Sequence, residues 1–126
     1  MSIVVQKFGG TSLADTDKIK NVARAVVKEK ELGNDVIVVV SAMGHTTDNL
    51  IKLAHEISAH PSEREMDMLM STGEQVSIAL LTMAIQEMGY SAVSMTGAQV
   101  GILTEETHSK ARIVDIKTDK LTQHIE

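Results

Sequence analysis

The sequence predicts an α/β fold with a mainly parallel sheet, on three observations. A β-branched run, Ile3-Val4-Val5, leads into Lys7 and the pair Gly9-Gly10. Apolar residues then recur at helical spacing: Ile19, Val22, Ala23, Val26 and Val27. Last comes Val36-Ile37-Val38-Val39-Val40, an unbroken apolar run with no solvent face, as expected of a buried parallel strand. Strand, helix and strand in this order close a right-handed βαβ unit.

The first strand ends in chemistry. Gly9 and Gly10 allow a sharp turn with uncovered N–H groups, Thr11 and Ser12 add hydroxyls, and Lys7 adds a compact positive charge. This suits a phosphate cradle, and equally a solvated lysine beside an ordinary turn. It is not a Walker A loop, because the lysine precedes the glycines. Asp15-Thr16-Asp17 supplies the cap and negative charge for the first helix, and Leu32-Gly33-Asn34-Asp35 supplies its C-terminal stop.

The second strand delivers its carboxyl end to a polar loop, Ser41 to Asp48. Ligands of open α/β sheets bind outside the carboxyl ends of the strands, so Lys7, Gly9, Gly10 and the segment Ser41 to Thr47 are expected to face one crevice. A short helix is expected from Asn49 to Ile57, and Ser62 with Glu65 forms a capping box for the next. That helix carries Met66, Leu69 and Met70, is interrupted or bent at Ser71-Thr72-Gly73-Glu74, and resumes with Val76, Ala79, Leu80, Met83 and Ala84 until Gly89. Methionines at this spacing read as core filler. Glu74 has two readings: a first-turn carboxylate at a restarting helix, or a partly buried acid placed for a ligand's ammonium group. Ser91 to Met95 is expected as a third strand leading into Thr96-Gly97-Ala98-Gln99. Val100 to Thr104 and Ala111 to Ile116 are expected to pair as a hairpin, with a helix or frayed tail over Thr118 to Ile125.

Composition narrows the function. The 126 residues suit one domain, 1–126, with no repeat or low-complexity linker. A net charge of −5, one Tyr, one Phe and no Trp argue against nucleic acid as a partner. With no cysteine, disulfides, thiolate metal sites and cysteine nucleophiles are excluded. The five histidines show no metal-binding spacing, so no metal site is expected in the protein itself. Nucleophile elbows and the dinucleotide fingerprint are absent too. With no targeting segment or long apolar run, a cytoplasmic chain without a membrane partner is expected.

Lys7-Phe8-Gly9-Gly10-Thr11-Ser12 after a short strand resembles the opening signature of the aspartokinases. The likeness continues through Val39-Val40-Ser41-Ala42-Met43-Gly44, Thr46-Thr47-Asp48, Ser71-Thr72-Gly73-Glu74-Gln75, Thr96-Gly97-Ala98-Gln99-Val100-Gly101-Ile102 and Ala111-Arg112-Ile113. It therefore spans nearly the whole chain, and it implies the three-layer αβα sandwich of the wider amino acid kinase family. It also implies ATP-dependent phosphorylation of the β-carboxylate of L-aspartate, the entry to lysine, threonine and methionine synthesis, with Mg²⁺ carried by the nucleotide. On the same resemblance Lys7 is the catalytic cation, and Lys7, Phe8, Gly9 and Gly10 meet the ATP phosphates. Ser41, Thr47 and Glu74 hold aspartate, with Glu74 facing its α-ammonium. The family's Gly-Arg-Gly-Gly-Ser-Asp segment, most of its nucleotide pocket and its ACT regulatory domains have no counterpart in these residues. The expectation is thus the N-terminal half of a kinase domain, inactive alone and prone to homo-oligomerise through exposed apolar surface. Two rivals remain: another amino acid kinase with a different carboxylate acceptor, and a non-catalytic α/β binding module.

Overall fold

A computed structural model describes residues 2–96 in full, and the backbone of 102–104 and 113–116. Strand β1 (Ile3–Phe8) is followed by a short 3-10 helix (Gly10–Leu13), helix α1 (Thr16–Glu31) and strand β2 (Asp35–Val40). Helices α2 (Thr46–Ile57) and α3 (Glu63–Glu87) come next, then strands β3 (Ile102–Thr104) and β4 (Ile113–Ile116). β1 and β2 pair in parallel from Ile3 against Asp35 to Phe8 against Val40. β3 and β4 form a separate antiparallel pair, as the hairpin reading anticipates.

Local chemistry sets the helix ends. Asp15 caps α1 by accepting the Lys18 N–H at 2.9 Å, and Ser62 caps α3 by accepting the Glu65 N–H at 3.3 Å. Gly33, with φ of +90°, ends the chain's exit from α1, and its N–H reaches the Lys30 carbonyl at 3.0 Å. All five apolar residues of the α1 repeat are buried, and they meet Leu13, Leu81 and Ile85 in one cluster. Phe8, Val36, Val38 and Val40 pack onto that cluster from one face of the sheet. On the opposite face Ile3, Val5 and Val39 remain 58%, 63% and 47% exposed, so the described residues cover only one side.

Two elements differ from the sequence reading. α3 runs unbroken for 25 residues through Ser71-Thr72-Gly73-Glu74, and α2 starts at Thr46 rather than Asn49. Ser91 to Met95 forms no strand. The Ala92 carbonyl is taken by the Gln86 side-chain amide at 3.1 Å instead of a strand partner. Between this segment and Val36, Val38 and Val40 of β2 lies a cavity of about 400 Å³. Thr96 ends this described stretch, while Gly97-Ala98-Gln99 and the tail 118–125 lie outside the described residues.

Candidate functional site

The site is assembled by backbone. At the carboxyl ends of the parallel strands the Ser41 N–H donates to the Phe8 carbonyl at 3.3 Å. The Gly44 N–H donates to the Gly10 carbonyl, also at 3.3 Å, tying the glycine loop to the loop after β2. The expected convergence of the two segments is therefore present. Gly44 has a part that the sequence reading does not assign. Its φ is +35°, and a Cβ there would sit 3.3 Å from Ala14 Cα, so only glycine fits without strain.

A third element closes on this junction. A Cβ on Gly73 would lie 3.1 Å from Thr46 Cγ2, 3.2 Å from Ala42 Cβ and 3.4 Å from Leu50 Cδ1. The missing side chain is what lets α3 approach the start of α2 so closely. The Ser77 hydroxyl, fully buried one turn on, donates back to the Gly73 carbonyl at 3.3 Å. The signal for this contact was in the sequence, as a glycine inside an apolar helical period, but it reads there as an interruption.

Individual side chains divide as follows. Lys7 is exposed on the uncovered face of the sheet, beyond Val5, and makes no ion pair among the described residues. Ser41 and Thr47 are half-buried, and the Ser41 hydroxyl donates weakly to the Ala42 carbonyl at 3.3 Å. Thr47 stands in the first turn of α2, where the cap residue His45 supplies no side-chain bond and leaves N–H groups of that turn open to an anion. Glu74 lies mid-helix rather than in a first turn, and it is exposed rather than partly buried, with no ion pair among the described residues. The Phe8 ring packs against the core and its carbonyl is used by Ser41, so its side chain has nothing to offer a phosphate. Behind the glycine loop, Thr11 and Ser12 share an open groove with Lys18 and Asn21. Among the described residues no three His, Asp or Glu side chains converge on a metal position.

Parallel strands ending in a lysine-glycine loop, tied by backbone bonds to a second polar loop at the same sheet edge, define an α/β domain with its polar loops gathered at the strand ends. The chain belongs to the amino acid kinase family, whose model matches residues 2–126. It is 62% identical over 121 residues to the aspartokinase of Geobacillus stearothermophilus, covering 96% of this chain and 30% of that one. Against aspartokinase 2 of Bacillus subtilis it is 57% identical over its whole length, or 31% of that protein. The aspartate kinase structure from Synechocystis superposes with a TM-score of 0.84 at 50% identity, over 98% of this chain and 20% of that chain. A more distant structure, Escherichia coli aspartokinase III in complex with aspartate and ADP, shares the fold at a TM-score of 0.80 and 20% identity. The chain thus spans about 30% of the length of the curated relatives it matches.

Proposed function

We propose that the chain carries the phosphate-contacting loop and the aspartate-binding side chains of an aspartate kinase, as the N-terminal half of its catalytic domain. The reading is supported above all by the Gly44 to Gly10 backbone bond, which holds a glycine loop and a serine-threonine loop at one crevice. In the reaction a β-carboxylate oxygen of aspartate bonds to the γ-phosphorus of ATP, the bond to the β–γ bridging oxygen breaks, and ADP leaves with that electron pair. The attacking carboxylate is ionised at neutral pH and needs no general base. Positioning and charge stabilisation are what the protein must supply. Lys7 meets the charge on the transferring group, and the N–H groups of Gly9 and Gly10 stand beside it. Ser41, Thr47 and the open first turn of α2 suit a substrate carboxylate, and the exposed Glu74 suits its α-ammonium. Magnesium enters with the nucleotide, whose phosphates are the oxygen ligands it favours. In this reading the acyl phosphate product feeds lysine, threonine and methionine synthesis in the cytoplasm.

Calorimetric titration with L-aspartate, L-glutamate and Mg-ATP tests the proposal. Aspartate binding that Glu74→Gln weakens by about tenfold or more, the scale of a lost charged hydrogen bond, is the expected result. Binding of glutamate but not aspartate would replace it with a different acceptor, and ligand affinities unmoved by Lys7→Ala and Glu74→Gln would leave only a binding module.

A further inference from the structure

The groove between the glycine loop and α1 has a volume of about 410 Å³. Its floor is apolar, with Val22 buried and Phe8 and Ala25 half-buried. Its rim is formed by the exposed side chains of Thr11, Ser12, Lys18 and Asn21. All four can donate hydrogen bonds, and no acid lines the groove. Among the described residues Lys18 makes no ion pair, and the Thr11 and Ser12 hydroxyls enter no hydrogen bond. Asn21 is held in one orientation, because its Oδ1 accepts from Arg24 Nη1 at 2.6 Å and leaves its NH2 group to donate elsewhere. Lys7 takes no part, since it extends from the opposite face of β1 to Phe8.

Lys18 also stands where its own helix does not favour it. It is the third residue of α1, at the positive end of the helix dipole, where an acid is stabilising and a lysine is not. A residue that breaks the local rule of its element marks a position held for another purpose. The two acids of this turn do not offset it in the groove. Asp15 is engaged as the cap, accepting the Lys18 N–H at 2.9 Å, and Asp17 projects about 100° around the helix from Lys18. Arg24 adds a further positive charge behind Asn21. An anion with acceptor oxygens on several sides meets all of these demands together. A phosphoryl group offers at least three such oxygens to a rim of four donors, whereas a carboxylate offers two. The apolar floor strengthens the attraction by keeping water from one side of the charge.

We propose that the groove of Thr11, Ser12, Lys18 and Asn21 is a phosphate-binding site separate from Lys7, open to inorganic phosphate or to the phosphoryl group of a monoester. Titration of the chain with inorganic phosphate at constant ionic strength is expected to shift the Thr11, Ser12 and Asn21 amide resonances and to saturate. Lys18→Ala is expected to weaken this binding by about tenfold or more, the scale of a lost charged hydrogen bond, while Lys7→Ala leaves it unchanged. Lys18→Glu keeps the test free of unfolding, because an acid there suits the start of α1. Its melting temperature without phosphate is expected to be at least that of the wild type, and the rise that phosphate gives the wild type is expected to vanish. Phenyl phosphate separates the two sources of the group. Equal affinity assigns the site to the phosphoryl group alone, and tighter binding assigns it to esters whose organic part lies on the apolar floor. Phosphate binding that falls with Lys7→Ala and not with Lys18→Ala places the anion at the glycine loop and overturns the proposal. So does the absence of saturation by about 10 mM phosphate, or a melting temperature that phosphate raises equally in Lys18→Glu.

Discussion

Tyr90 donates its phenolic proton to Glu31 Oε1 at 2.9 Å, joining the segment after α3 to the end of α1. The bond to Glu31, then burial, then the Glu31 charge all push the phenol pKa above its ordinary value of 10.0. The neutral phenol is therefore the form the fold favours. Its contribution is fully present below pH 10.0 and is lost as pH climbs through the raised folded value. The melting temperature of the wild type minus that of Tyr90→Phe is expected to be positive at about pH 8 and to shrink by about pH 11, where the comparison cancels titrations common to both proteins. A difference that stays flat across that range would mean the bond contributes nothing to stability. At the same scale, the backbone junction of the glycine loop with the loop after β2 was legible, because both follow the carboxyl ends of neighbouring strands. The exposure of Glu74 and the burial of the Phe8 ring were not. Each depends on which way a side chain turns once α3 and β1 are packed, and sequence spacing does not contain that.

At the scale of elements, α3 rests on one missing side chain. A mid-helix glycine costs about 1 kcal/mol relative to alanine, so Ser-Thr-Gly reads locally as a break. The helix continues because Gly73 closes onto Ala42, Thr46 and Leu50, a contact between segments more than twenty residues apart that local propensity cannot foresee. Gly73→Val would raise intrinsic propensity yet drive methyl groups into these neighbours. Urea denaturation is expected to show a loss of about 1–3 kcal/mol, the range for overpacking, together with weaker aspartate binding as α3 moves off the crevice. A variant as stable as the wild type would show that the junction yields freely and that Gly73 does not position Glu74. The α1 repeat, the Asp15 and Ser62 caps and the β3–β4 hairpin were all legible, because each is specified within a few residues of itself. The Ser91 to Met95 segment was misread for the converse reason. Its apolar residues suit a strand, but among the described residues no neighbouring strand pairs with it, and its Ala92 carbonyl accepts from the Gln86 side chain.

For the whole molecule the asymmetry of the sheet is the dominant feature. Val38 packs against the cluster formed by α1 and α3, whereas Val5, on the other face of the same parallel pair, is 63% exposed. An unbroken run such as Val36 to Val40 reads as covered on both sides, so the sequence announced a two-sided sheet while the described residues cover one. The same chemical change at both positions measures this directly. Valine to threonine keeps the β-branched shape and adds one hydroxyl, which is free to meet water on an open face and must be desolvated on a covered one. Val5→Thr is expected to change unfolding free energy by no more than about 0.5 kcal/mol, as surface substitutions do, and Val38→Thr to lower it by about 1–3 kcal/mol. Equal losses at the two positions would mean that the Ile3, Val5 and Val39 face is covered in solution. Dilution then separates the causes. Association through that face makes the Val5→Thr loss fade as the chain is diluted, whereas cover supplied from within the chain leaves it constant.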